Sequence, residues 1–268
     1  MLMVISPAKR LDFSPAPEGL AATAPAFAED VAELAKVTRR LKRADLRRMM
    51  SISADLAALN VARFQAFDAD DREAGVQAAL AFAGDVYIGL QARTMSAADL
   101  EWAQGRLRIL SGMYGLLRPL DRIQPYRLEM GVSLKTRRGK SLYDFWGARI
   151  AQALNAASEG MADPVLVNLA SQEYFGAVDL AALAIPHVNV HFREVKDGES
   201  RVLAFHAKKA RGMMARWAVK NRARRAADLR GFDEAGYAFD DAASTEADWV
   251  FARPQPEPQG RVSRKTLA

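Results

Sequence analysis

The sequence predicts a mixed α/β domain in which one mixed central sheet is surrounded by helices. Three observations carry that prediction. An apolar run, MLMVI, opens the chain; apolar residues recur at three- and four-residue steps from about residue 27 to 67; and strand-like segments gather after residue 160. A strand at the start must find partners and the other strands lie at the far end, so one sheet is expected to join both ends of the chain. No interior linker divides the 268 residues, which points to a single domain over 1–252. The segment 253–268 reads as a disordered, Pro-rich basic tail.

Taken in order, MLMVI is a short buried strand that Pro7 stops in the turn SPAK. FAEDVAELAKVTRRLKRADLRRMM and SADLAALNVARFQAF have helical periodicity, with Ser53 as a cap. Ser96 caps a further helix expected to run to Leu110, and LYDFWGARIAQALNAA predicts a helix over about 142–157. PVLVNLA (164–170), PHVNVHF (186–192) and SRVLAFHA (200–207) read as strands, the last two flanking the turn KDGE as a hairpin. A long helix then covers 207–225, and GYAFD and DWVFA read as closing strands.

Half of the residues are apolar and 26% are charged, the composition of a globular protein. Five apolar residues before Ser6 fall short of the roughly 7 that a signal peptide's apolar region needs. No run approaches the ~18 of a membrane span, so a cytoplasmic location without membrane contact is expected. The chain has no cysteine, which excludes disulfides, thiolate iron–sulfur ligation and thiol-based peroxide chemistry. Of the net charge of +6, the tail contributes +3: four basic residues against Glu257. In the body, HAKKARGMMARWAVKNRARRAADLR (206–230) carries nine Lys and Arg against Asp228. Such clustering, more than the overall charge, points to an anionic partner.

On a helical wheel Lys208, Lys209, Arg211, Arg216, Lys220 and Arg222 fall on one half, and Ala210, Met213, Met214, Trp217 and Ala218 on the other. Gly212 interrupts the basic half, where glycine makes sense if something approaches the backbone closely. This face is either a solvated surface or a phosphate-binding one. LSGMYGLLR reads as helix, glycine hairpin, helix, in which Gly112 and Gly115 permit positive φ and bring backbone N–H groups to phosphate oxygens. A structural turn explains the same glycines. No Gly-Lys-Ser/Thr follows, so the Walker pattern fails.

RPLDRIQPYRLEMG supplies Arg118, Asp121, Tyr126, Arg127 and Glu129 around two prolines, as a binding site or as a buried ion-pair network. FAGDVYIGL and NLASQEYF add Asp85, Tyr87, Asn168, Ser171, Glu173 and Tyr174 as polar residues amid apolar ones that could line the same cleft. There are three histidines, and His187 and His191 on one strand would stand roughly 13 Å apart, too far to chelate one ion together. No Gly-x-Ser-x-Gly elbow appears, and nothing in the carboxylate spacing demands a metal. No metal or cofactor is expected.

ISPAK, MSISADLAALNVARF, FAGDVYIGL, LRILSGMYGLLRPLDRIQPYRLEMG, FWG, NLASQEYF, AKKARGMMARW and GFDEAGYAFD, in that order, resemble the YaaA family of bacterial peroxide stress proteins from residue 1 to about 251. The resemblance implies a cytoplasmic protein of the hydrogen peroxide response that limits oxidative damage by keeping unincorporated iron low. It also implies a single-domain "cantaloupe" fold with a basic cleft and a helix-hairpin-helix element that binds double-stranded and branched DNA. No established reaction comes with it. Carried onto this chain, the hairpin spans 110–118 with Gly112 and Gly115, and the cleft includes Lys9, Arg118, Arg127, Lys208, Lys209, Arg211 and Arg216. A monomer is expected. The residues by themselves leave two functions open: DNA binding without sequence preference, or an enzyme acting on a phosphorylated small molecule or nucleic acid, with Asp85, Tyr126, Glu129 or Glu173 as acid–base groups.

Overall fold

The computed structural model describes residues 1–71 and 73–256. The chain begins with β1 (Leu2–Ile5), then α1 (Ala28–Thr38), α2 (Arg43–Met50) and α3 (Ala54–Ala66). After β2 (Val76–Gln77) come α4 (Ala78–Ala81), α5 (Asp85–Leu90) and α6 (Ala97–Arg106). Next are β3 (Leu107–Ser111), β4 (Gly115–Leu117), β5 (Arg122–Ile123), α7 (Leu142–Trp146) and α8 (Arg149–Ser158). The remainder holds β6 (Leu166–Leu169), α9 (Gln172–Phe175), β7 (His187–Lys196), β8 (Glu199–Arg201), α10 (Ala204–Lys220), β9 (Ala238–Phe239) and β10 (Asp248–Pro254).

The main sheet has the order β4-β3-β1-β6-β7-β10-β9, with β8 paired to β7. β3, β1, β6, β7 and β10 run parallel, and the antiparallel strands β4, β8 and β9 lie at the margins. All four residues of β1 are inaccessible to solvent, because the strand is central and both of its faces are covered. A continuous apolar run rather than an alternating one is what such a strand requires. β7 alternates instead: Val188, Val190, Phe192 and Glu194 are buried, while His187, Asn189, His191 and Arg193 are half-exposed on the other face. The two ends of the chain therefore meet in one mixed sheet.

Ser53 and Ser96 cap their helices by accepting hydrogen bonds from the Leu56 and Asp99 amides, as their positions predict. Three expectations are corrected. The segment expected as helix-hairpin-helix is a β-hairpin: α6 stops at Arg106, Leu107–Ser111 extends beside β1, and the chain turns back through Gly115 into β4. Pairing with β1 buries Leu107, Ile109 and Leu110 completely or nearly so, which outweighs their capacity to prolong the helix. The helix expected over 142–157 is broken at Gly147, whose φ of +47° ends α7. The strand expected over 200–207 ends at Arg201, and α10 begins three residues later.

The 253–268 boundary also shifts. Arg253 and Pro254 continue β10, and Arg253 pairs with the fully buried Glu194 at 3.2 Å while stacking on Tyr237. Residues 257–268, where most of the expected tail falls, lie outside the described residues.

α10 packs against β1, β6 and β7 and crosses α5 at two glycines. A Cβ added at Gly212 would stand 1.8 Å from the Val86 carbonyl oxygen, and one at Gly89 would stand 2.1 Å from the Lys209 carbonyl oxygen. The close approach that Gly212 signals is thus to α5. Gly212→Ala is expected to destabilise the fold by about 3 kcal/mol in urea unfolding, because backbone on both sides must move. Gly105→Ala, on the exposed face of α6 where an added Cβ meets nothing within 4 Å, should instead stabilise by about 0.5–1 kcal/mol.

Candidate functional site

In the sheet order, the chain leaves β1 towards β3 on one side and leaves β6 towards β7 on the other. The carboxyl ends of β1 and β6 therefore form a point where the connections diverge, the usual place for a ligand in an open α/β sheet. A cleft of about 370 Å³ lies there. Its walls come from the segment after β1 (Ser6, Lys9, Arg10), the start of α5 (Gly84, Asp85), the segment after β6 (Ser171, Glu173, Tyr174) and α10 (Lys208, Arg211).

Hydrogen bonds fix the floor. Ser6 Oγ accepts from the Ser171 amide at 2.9 Å and donates to Ser171 Oγ at 3.3 Å, which ties the two strand ends together. Tyr87 donates its hydroxyl proton to the Ser6 carbonyl at 3.2 Å. Glu173 accepts from the Gly131 amide at 3.1 Å. Behind Lys9, Arg127 and Glu129 form a 3.0 Å pair in which both side chains are largely buried, and the Lys9 ammonium, itself 67% exposed, stands 3.7 Å from the same carboxylate. Burial raises the Tyr87, Tyr126 and Tyr174 phenols well above their ordinary values, so they stay protonated.

The expected cations separate into two groups. Arg118 does not reach the cleft: it donates to Asp121, whose side chain is 1% exposed, and to the Ala24 carbonyl. Arg216 donates to the carbonyls of Leu90 and Gln91 and to Thr94 Oγ1, closing the end of α5. Lys220 and Arg222 both pair with Asp99, at 2.6 and 2.8 Å. Lys9, Arg10, Lys208 and Arg211 line the cleft, whereas Lys209 is half-buried beside it with its carbonyl against Gly89. Arg211 is partly desolvated, which lowers its affinity for its proton, and its buried Nε has no hydrogen-bond partner among the described residues. A hydrogen-bond acceptor in the cleft would supply what that atom lacks.

The other sequence candidates take structural places. Gly112 and Gly115 are buried in the β3–β4 turn; a Cβ at Gly115 would meet the Trp146 ring at 2.6 Å, and Trp146 donates to the Gly112 carbonyl at 3.1 Å. Their amides are enclosed by protein. Tyr126 is buried with its hydroxyl 2.6 Å from Ser111 Oγ. Asn168 donates to Asn189, and Asn189 and His191 both bind Asp248, forming a polar row across β6, β7 and β10 away from the cleft. Sequence reasoning missed Ser6 and Arg10, although both flank Lys9 in the segment SPAKR that leaves the central strand.

Fold and cleft together define an α/β protein with a cleft lined by Lys9, Arg10, Lys208 and Arg211 at the divergence point of a mainly parallel sheet. The chain belongs to the family described as peroxide stress protein YaaA, whose model matches residues 1–243, and this places it among proteins of peroxide stress. It is 61% identical over 256 residues to a UPF0246 protein of Caulobacter vibrioides (strain NA1000 / CB15N), covering 96% of this chain and all of that one. A UPF0246 protein of Phenylobacterium zucineum is 58% identical over 99% of both chains, and one of Maricaulis maris is 55% identical over 97% of this chain and 99% of its own.

The Lys220 ammonium, with Ser96 and Arg222 beside it, holds the Asp99 carboxyl well below the usual carboxylate range. A depressed folded-state value means that ionised Asp99 stabilises the fold above its unfolded value of about 3.9, and that this contribution is lost as pH falls further. The stability advantage of the wild-type protein over Asp99→Asn in urea should be full at pH 6 and shrink steadily below about pH 4. An advantage unchanged at lower pH would show that the charge is not what Asp99 contributes.

Proposed function

We propose that this member of the peroxide stress family binds DNA through the phosphate backbone at the cleft between β1 and β6, without reading sequence. The observation that supports this reading is the convergence of Lys9, Arg10, Lys208 and Arg211 on one concave surface, the last with a buried and unpartnered donor. Cations that neutralise phosphates give affinity and register but carry no base information. Limitation of oxidative damage through lowered unincorporated iron belongs to the same proposal. Such work is done in the cytoplasm; among the described residues no helix is long and apolar enough to cross a membrane.

A second reading, an enzyme acting on a phosphorylated small molecule or nucleic acid in the same cleft, has support in the presence of Asp85 and Glu173 among its cations. Carboxylates there weaken a plain phosphate-binding surface but suit proton transfer.

Fluorescence anisotropy with labelled duplex and four-way-junction DNA across a salt series tests the first reading. Affinity should fall with salt, and Lys208→Ala combined with Arg211→Ala should flatten the log–log slope by about 1.8 for two phosphate contacts removed. Binding that is insensitive to salt, or a slope that the double variant leaves unchanged, would move DNA off this cleft.

A further inference from the structure

The cleft has an annexe. A second pocket of about 260 Å³ adjoins it and shares Arg10, Ala83, Gly84 and Asp85 with it. The partition is thin: a Cβ added at Gly84 would stand 2.9 Å from the Ala8 Cβ, so the segment leaving β1 and the start of α5 touch there. The two compartments differ in chemistry. The cleft offers Lys9, Lys208 and Arg211, while the annexe sets Leu80, Phe82, Ile88, Ala92 and the Tyr87 ring beside Gln91 and the Asp12–Arg93 ion pair at 3.3 Å. Asp85 and Arg10 stand at the junction, and Asp85 has no ion-pair partner among the described residues.

A ligand that is phosphate alone uses neither the apolar annexe nor Asp85, which repels it. A ligand with an anionic end, hydroxyl or amino donors in the middle and a flat apolar body uses all three. We propose that the site takes a nucleoside phosphate unit, with its phosphate on Lys9, Lys208 and Arg211, its ribose at Asp85 and Arg10, and its base in the annexe against Leu80, Phe82 and Ile88. The carboxylate accepts hydrogen bonds from ribose hydroxyls, a role that acidic residues play in dinucleotide sites. Ile88 is 49% exposed in the annexe, and a base laid against it removes that apolar surface from water. The unit is either a free nucleotide or an unstacked nucleotide of a single strand. This inference rests on the phosphate-binding reading of the cleft.

Isothermal titration calorimetry tests it with the four ribonucleoside 5′-monophosphates, ribose 5-phosphate, inorganic phosphate, a short single-stranded oligonucleotide and duplex DNA. At least one monophosphate should bind about tenfold or more tightly than ribose 5-phosphate, the difference reporting the annexe. Ile88→Ala should weaken that monophosphate about fivefold with ribose 5-phosphate unaffected, Asp85→Asn should weaken both, and Lys208→Ala with Arg211→Ala should abolish both. Tighter binding of the single strand than of any monophosphate, with the same response to Ile88→Ala, supports the site and assigns the unit to nucleic acid. If duplex DNA binds with a salt slope but no monophosphate exceeds ribose 5-phosphate, the nucleoside pocket is refuted and the phosphate cleft stands. If no probe binds, both are refuted.

Discussion

The structure depends on one short strand held on both sides. Leu2–Ile5 pairs in parallel with β3 through Met3, Val4 and Ile5 and with β6 through all four of its residues. Only a strand flanked in this way lets the chain depart in opposite directions from neighbouring carboxyl ends. That divergence opens the gap which Ser6 and Ser171 bridge and in which the cations gather. A parallel central strand also has to be apolar on both faces, so the residues that form the site follow the strand rather than lie on it. The polar run SPAKR begins where the apolar run ends.

Charge in this protein is sorted by what it is bonded to. The basic stretch 206–230 looks uniform in composition, yet Lys220 and Arg222 are neutralised by Asp99, Arg225 by Asp228, and Arg216 is spent on carbonyls at the end of α5. Such pairs fix α10 to α5, α6 and the segment after it. Of the five other bases in this stretch, none of them ion-paired among the described residues, Arg224 and Arg230 follow the helix, Arg230 stacked on Phe239 and Trp249, while Lys208, Lys209 and Arg211 lie in its first turns, and of these Lys208 and Arg211 line the cleft. A formal charge of +6 therefore says less about a partner than four side chains around one cleft do.

Much of this was legible in the sequence, and the exceptions have physical causes. The run MLMVI, the caps Ser53 and Ser96 and the KDGE hairpin are local signals whose outcome is local, and they stand in the structure as they read. Leu107–Ser111 is a short apolar run that suits either helix or strand, and a partner distant in sequence, β1, decided for strand; in 200–207 the hairpin pairing to β7 ends at Arg201 and α10 takes over from Ala204. The site divided the same way. Lys9, Asp85, Ser171, Glu173, Lys208 and Arg211 were expected and do line one cleft, but Arg118, Tyr126 and Asn168, chosen from equally polar contexts, are held by Asp121, Ser111 and Asn189. A side chain's polarity is visible in the sequence; whether it is already satisfied is a property of the fold.

Arg211 shows how the two levels meet. Its guanidinium is partly desolvated, and its buried Nε has no hydrogen-bond partner among the described residues, an arrangement that costs free energy because it forfeits water without gaining a bond. It is kept in place because its helix has little freedom: Gly212, the next residue, lies against the Val86 carbonyl, and Gly89 lies against the Lys209 carbonyl one turn of backbone away. The glycine crossing that gives α10 its position thus also sets the height of Arg211 above the ends of β1 and β6. In the proposed complex a phosphate oxygen would accept from this Nε, which no atom among the described residues does.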